Sequence, residues 1–216
     1  MKSSNKADTF AVVSDAVLHT GDIADVRLLY TAGRELKPNA RLLLFYETRQ
    51  DVGVVQTENE EKDNYICARR ETAGEQKPIE VYLHPLEFRS LELHPTIPEF
   101  CVVTECRIGH EGLQSGEQVE IELRRWKAPA NPIEEFGFWL VVDAEAAWDL
   151  APEGFRSYRV FVDRESGKRI DPEGPLQTLL KTSIKADGLF PAIGEAQTRK
   201  TPGVFWGELH GMAFNQ

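Results

Sequence analysis

A succession of short apolar segments separated by turn residues constrains this chain more than any other feature. Residues 119–123 alternate Val, Ile and Leu with two glutamates. Because strand side chains alternate between faces, this pattern predicts an antiparallel strand with one face in water. Residues 41–47 carry five consecutive apolar side chains, which indicates a strand covered on both faces. About nine to eleven such segments, with almost no helical periodicity, predict an all-β, antiparallel β-sandwich of the immunoglobulin- or fibronectin-like kind.

The strand pattern divides the chain into three parts. Residues 1–148 are predicted to form the β-sandwich. A break at residues 149–154 is followed by a new strand and a hairpin-like turn, so residues 149–200 are predicted to form a second small β segment packed on the sandwich. Residues 201–216 include one further predicted strand, Val204-Phe205-Trp206-Gly207-Glu208-Leu209-His210-Gly211.

Charge and hydrophobicity exclude several classes of partner. The formal net charge is −10 and the sequence pI is about 5.1, whereas binding to a phosphate backbone requires a basic surface. No apolar run approaches the roughly 18 residues that span a bilayer, and the first residues lack the apolar core of a signal peptide. We therefore expect a cytoplasmic protein that binds neither nucleic acid nor a membrane.

The three cysteines predict reduced thiols in the core. Cys67, Cys101 and Cys106 are odd in number and show no Cys-x-x-Cys spacing, so a disulfide framework is not expected. An alternative is a nucleophilic Cys106 close to His110. The sequence offers no third group to orient that pair, as nucleophilic catalysis requires.

The strand near the end of the sequence carries a candidate pair of metal ligands. Glu208 and His210 are two residues apart and therefore share one face of the strand. A carboxylate and an imidazole placed in this way can converge on a cation such as Zn, Mn or Fe. The alternative is a buried strand whose Glu and His are exposed or hydrogen-bonded.

Several segments in order resemble one family of large bacterial proteins of unassigned function. In that family a β-sandwich precedes a metal-dependent hydrolase barrel of the polymerase-and-histidinol-phosphatase (PHP) type. The most specific segment is Phe205-Trp206-Gly207-Glu208-Leu209-His210-Gly211, which is similar to the aromatic-Trp-Gly-Asp-Leu-His-Gly run that opens the barrel. The looser matches are residues 25–33, Gln56, residues 64–65 and residues 159–167.

The resemblance implies that residues 201–216 hold the first strand of a PHP-like barrel whose remaining part is missing from this sequence. His210 falls on the first member of the family's His-x-His metal-binding pair, Met212 falls on the second, and Glu208 stands where the family usually has Asp. A closed barrel takes about 200 residues or more, and six residues follow His210. The chain is therefore expected to be a non-catalytic accessory domain without a cofactor of its own. The divalent metal (Zn, Mn or Fe) would belong to a full-length parent.

The expected partner is the downstream catalytic domain of the same parent protein. A homo-oligomer formed through an exposed terminal strand is a further possibility, because unpaired strand edges capture other strands.

A carbohydrate- or small-ligand-binding module is the first alternative function. Sugar rings stack on exposed aromatic faces, and Trp126 and Trp148 lie near predicted turns, so both are candidate ligand-binding residues. Trp139 lies within an apolar strand and is predicted to be a core residue.

An intact metal-dependent hydrolase is the second alternative. Glu208 and His210 would then be joined by one of three other histidines. These are His84, His94 and His110.

Overall fold

The computed structural model of the protein describes residues 7–14, 17–19, 21–47, 55–72, 74–89, 100–129, 135–152, 159–163 and 179–186. Within these ranges the chain forms twelve β-strands and no helix, so none is present that could cross a membrane. The strands are β1 (Thr9–Val12), β2 (Val17–Leu18), β3 (Ile23–Thr31), β4 (Arg41–Glu47), β5 (Tyr65–Thr72), β6 (Glu75–Arg89), β7 (Phe100–Arg107), β8 (Gln118–Lys127), β9 (Glu135–Asp143), β10 (Trp148–Pro152), β11 (Arg159–Asp163) and β12 (Leu179–Ala186).

Ten of these strands form one continuous sheet in the order β1-β3-β8-β5-β6-β7-β4-β9-β12-β2. Strand β6 is 15 residues long. Its first part pairs with β5 and its second part pairs with β7, so the sheet bends along this strand. At the far side, the backbone N–H of Val12 in β1 donates to Thr182 Oγ1 in β12 at 3.2 Å. The sheet therefore bends into a nearly closed, barrel-like shape.

The pairing confirms the all-β, antiparallel class. Among the described pairs of strands only β2 and β12 run parallel, and the others are antiparallel; an isolated bridge between Gln56 and Tyr65 is also parallel. In the described part of the chain the main sheet is continuous and does not split into two separate sheets. The immunoglobulin- or fibronectin-like arrangement stays a prediction.

The interior of the sheet holds one hydrophobic core built from alternate residues of each strand. Val119, Ile121 and Leu123 of β8 point inward and are completely buried, whereas Glu120 and Glu122 remain partly exposed outside. The alternation predicted for residues 119–123 is therefore confirmed. Burying an aliphatic side chain of this size contributes about 1.5–3 kcal/mol, so alternate core positions along the strands dominate the stability of the barrel.

Strand β4 is buried on both faces, as its sequence predicts. Leu42 and Leu44 belong to the interior core, while Leu43 and Phe45 point to the outer face, and none of the four is more than 2% exposed. β4 pairs with β7 on one side and with β9 on the other. β4 is consequently an interior strand of the sheet, and both of its faces are packed against other residues.

The predicted second segment, residues 149–200, contributes strands to two sheets. β10 and β11 pair with each other and form a separate two-stranded sheet, and β11 contacts β6. β12 instead pairs with β9 and is a strand of the main sheet. The predicted terminal strand within residues 201–216 lies outside the described residues.

Candidate functional site

The predicted metal ligands Glu208 and His210 lie outside the described residues, and so does His94. His84 is hydrogen-bonded to Glu105, and His110 is exposed on the turn that follows β7. Among the described residues, no group of three or more His, Cys, Asp or Glu side chains could hold a metal ion. This part of the protein therefore offers no donor set that fits Zn, Mn or Fe.

The structure corrects Trp126 from a candidate ligand-binding residue to a core residue. Its side chain is completely buried, and its ring packs edge-on against Phe136 with a centroid distance of 4.9 Å. A fully buried ring presents no face on which a sugar could stack. Trp148 is the first residue of β10, and its backbone pairs with Asp163; its side chain is outside the described set.

A β-bulge explains why Trp126 points inward. Strict alternation from Leu123 would place Arg125 inside and Trp126 outside. The pairing of β3 with β8 instead shifts register between Ala24 and Val26, and Arg125 adopts a positive φ of 48°. The extra residue on the bulged strand reverses the faces that follow it. Arg125 is therefore exposed and Trp126 buried.

Of the other side chains predicted to lie in the core, Trp139 and Cys106 are buried, whereas Cys67 is only half-buried; the Cys101 side chain lies outside the described residues. Trp139 is 6% exposed, which confirms it as a core residue. Cys67 and Cys106 are free thiols. Burial, together with the nearby negative charge of Glu105, raises the pKa of Cys106 to about 12. That thiol stays protonated at neutral pH, so it does not supply the thiolate that the nucleophile alternative requires.

A carboxylate surrounded by basic side chains is buried on the outer face of the main sheet. Glu105 in β7 is 2% exposed. Its Oε1 lies 2.6 Å from Arg107 Nε and 3.6 Å from Arg41 Nε, and its Oε2 lies 2.9 Å from His84 Nε2. The Arg107 guanidinium also lies over the Tyr82 ring, 3.9 Å from its centroid.

The antiparallel register brings these side chains together. Leu43 and Tyr82 flank Glu105 directly on the neighbouring strands, so Arg41 and His84 are its diagonal neighbours on the same face. Diagonal neighbours are within reach of long side chains. Three consecutive strands of the sheet, β6, β7 and β4, therefore supply one ion cluster.

The cluster keeps Glu105 ionised. Burial alone would raise the pKa of its carboxyl, but the hydrogen bonds from His84 and Arg107 and the charges of Arg107 and Arg41 outweigh burial and lower that pKa to about 2. A carboxylate with so low a pKa is a poor general acid or base at neutral pH. The arrangement is suited to holding strands together rather than to moving protons.

Sequence reasoning did not identify this cluster, although a signal was present. Glu105 and Arg107 are two residues apart in a strand that is otherwise largely apolar, and Arg41 opens a strand with two apolar faces. Charged residues are almost never fully buried unless they are paired. Charges at these positions therefore indicate partners on neighbouring strands, but they do not say which.

The fold and its cluster define a barrel-like antiparallel β domain with a buried structural ion network. No family model matches the sequence, and no curated protein matches it. A similar solved structure bears the description "AvmM Catalyzes Macrocyclization in Alchivemycin A Biosynthesis"; it is 12% identical, covers 88% of this chain and 92% of that chain, and has a TM-score of 0.38. Similarity at that level supports no inference about this chain.

Proposed function

We propose that this chain is a non-catalytic accessory β domain of a larger metal-dependent hydrolase of the PHP-like kind. The observation that carries the proposal is the geometry of the Glu105 cluster, in which His84, Arg107 and Arg41 occupy both carboxylate oxygens and the side chain is only 2% exposed, so that no substrate can reach it. The pKa shifts of two buried groups support the same proposal. The pKa of Glu105 falls to about 2 and that of Cys106 rises to about 12. Both pKa values move away from neutral pH, whereas catalytic acids and bases work best with a pKa near the operating pH.

The resemblance of residues 205–211 to the first strand of a PHP-type barrel supplies the rest of the proposal. In it, the partner of the domain is the downstream catalytic domain, and the divalent metal (Zn, Mn or Fe) belongs to that catalytic domain. Homo-oligomerisation through the terminal strand is the second form of partnership, and no nucleic acid or membrane takes part. The free thiols of Cys67 and Cys106 are typical of a reducing compartment, which supports a cytoplasmic location.

An immunoglobulin- or fibronectin-like description of the domain is part of the same proposal. Residues from both halves of the bent sheet, such as Leu28 and Ile121 on one side and Leu44 and Phe138 on the other, belong to a single core cluster. Two β layers facing one another across a shared core are the feature that sandwiches have in common.

The test measures the metal content and hydrolase activity of the purified chain. After incubation with Zn, Mn or Fe, we expect less than one bound metal per chain and no hydrolysis of p-nitrophenyl phosphate. The variant His210→Ala should leave both readings unchanged, as should the matched variant His110→Ala. Stoichiometric metal and turnover that are lost in His210→Ala but kept in His110→Ala would overturn the proposal.

The carbohydrate-binding alternative loses one of its two candidate residues, because Trp126 is buried. It then depends on Trp148. A glycan array that gives no signal above background would contradict the carbohydrate-binding alternative.

A further inference from the structure

A cleft of about 590 Å³ opens where the hairpin between β5 and β6 meets the turn that follows β7. The chain as a whole is strongly acidic, yet several basic side chains gather at this cleft. Its ionisable lining consists of Arg70, Lys77, Arg107 and His110 together with Glu80 and Glu111.

Two of the basic residues are directly opposite one another in the hairpin. Arg70 in β5 pairs with Lys77 in β6, so their side chains share a face. Like charges placed opposite each other in this way are destabilising unless an anion lies between them. A negatively charged group close to both side chains would therefore stabilise this end of the barrel.

The Arg70 side chain is held rigidly in place. It is 9% exposed, its Nε donates to Thr72 Oγ1 at 2.8 Å, and its Nη1 donates to the carbonyl oxygen of Gly112 at 2.9 Å. Its Nη2 is directed at carboxylates, with Glu111 at 3.4 Å and Glu117 at 3.5 Å. A fixed guanidinium of this kind loses little side-chain entropy when it binds an oxyanion.

The anion now between the two cations is the carboxylate of Glu111. It lies 3.4 Å from Arg70 Nη2 and 3.7 Å from Lys77 Nζ, and both distances exceed the roughly 2.7–2.9 Å of a strong charge-assisted hydrogen bond. Its side chain is 65% exposed, and exposed ion pairs contribute little to stability. Glu111 can therefore leave Arg70 and Lys77 at small cost.

We propose that this cleft binds a small molecule through an oxyanion group, phosphate or carboxylate, which takes the place of the Glu111 carboxylate between Arg70 and Lys77. The volume of the cleft falls in the range of small-molecule sites. Glu80 also lines the cleft and accepts a hydrogen bond from the Tyr82 hydroxyl. Its carboxylate is therefore already engaged outside the pair of cations.

The experiment titrates inorganic phosphate and, separately, citrate into the full chain, with chloride keeping the ionic strength constant. The readouts are the NMR signals of the Arg70 Nε–H group and of the backbone amides of the turn that carries Glu111. We expect saturable shifts. Glu111→Gln should tighten binding roughly two- to fivefold, the size of one weak exposed ion pair, and Lys77→Met should weaken it several-fold.

Two controls match these variants in charge and exposure. Glu60 is 68% exposed and pairs with Arg124 at 3.2 Å, so Glu60→Gln changes the net charge as Glu111→Gln does but at a distant site. Lys181 is 50% exposed and pairs with Glu135 at 3.3 Å, so Lys181→Met is the matching control for Lys77→Met. Circular dichroism establishes that each variant is folded.

Saturation by phosphate alone or by citrate alone supports the proposal and identifies the preferred oxyanion. Shifts that stay linear with concentration, or equal responses of Glu111→Gln and Glu60→Gln, would overturn it, because the effect would then be one of general charge. The outcome is independent of the accessory role, which is tested by metal content and hydrolysis.

Discussion

Glu105 and its partners show how one buried charge is stabilised at the scale of single residues. The carboxylate lies in the outer face of a sheet whose neighbouring positions, Leu43 and Val103, are also buried. Removing a charge from water costs several kcal/mol per ion, and this cost is offset only because Arg41, Arg107 and His84 all reach the two carboxylate oxygens. The cluster thereby ties three strands together at one point.

The first prediction concerns the contribution of Glu105 to stability as a function of pH. Its pKa is lowered from 4.5 to about 2 in the folded protein. The corresponding stabilisation, about 3 kcal/mol, is therefore fully present above pH 4.5 and is lost as the pH falls from about 4.5 to about 2. Glu105→Gln should cost roughly 3–5 kcal/mol at pH 7, because it leaves buried arginine charge uncompensated, and the cost should shrink at pH 2. Urea denaturation at both pH values measures it.

The control for this prediction is Glu145→Gln. Glu145 is 60% exposed and pairs with Lys37, so its loss should change the free energy of unfolding by less than about 1 kcal/mol. If Glu105→Gln destabilises the protein no more than Glu145→Gln does, the cluster does not contribute as described.

At the scale of elements, strands β4 and β3 differ in how their outer faces are covered. The outward-facing Leu43 of β4 is 2% exposed, whereas the outward-facing Leu29 of β3 is only half-buried. Both strands have neighbours on both sides in the sheet. The difference therefore arises from what packs on each face and not from position at an edge.

The second prediction follows from this two-sided burial. Leu43→Ala should lower the free energy of unfolding by about 2–5 kcal/mol, the usual cost of truncating a buried leucine. Leu44→Ala, on the opposite face of the same strand, should cost a similar amount. Leu29→Ala is the matched control and should cost clearly less. Urea denaturation compares the three; a Leu43→Ala variant as mild as Leu29→Ala would show that the outer face of β4 is not packed in solution.

At the scale of the whole molecule, the approach of β1 to β12 determines how nearly the sheet closes. The two strands contact each other, and the Val12 N–H donates to the Thr182 side chain at 3.2 Å. Within the described ranges no backbone ladder pairs β1 with β12, and the acceptor of this hydrogen bond is a side chain. As far as these residues show, the closure depends on few hydrogen bonds, and it should be among the first regions to open.

The third prediction tests this closure. Thr182→Val keeps the shape of the side chain but removes the acceptor, so amide exchange at Val12 should accelerate about fivefold or more, as expected for loss of one partly buried hydrogen bond. Ser183→Ala is the control, because its hydroxyl donates to the exposed Glu135 carboxylate at 2.9 Å and not to β1. Hydrogen exchange measured by NMR distinguishes the two. Equal exchange rates at Val12 in both variants would contradict the role of Thr182.

Local patterns in the sequence predicted the class of the fold and the character of single strands. The alternation in residues 119–123, the two apolar faces of β4 and the burial of Trp139 all follow from the two-residue period of a strand. That period is a local property of the backbone. It can therefore be read from a few consecutive residues without knowledge of which strands pair.

Every feature that depends on which strands pair was determined by contacts between residues distant in the sequence. The order of the strands, the bulge that turns Trp126 inward, the Glu105 cluster and the Arg70–Glu111 cleft each require two or more strands in a particular register. The sequence by itself determined that this chain forms antiparallel β-structure around an apolar core, because burial of alternate side chains dictates it. Only the tertiary structure decided which charges meet, because register is set by long-range packing and no local pattern records it.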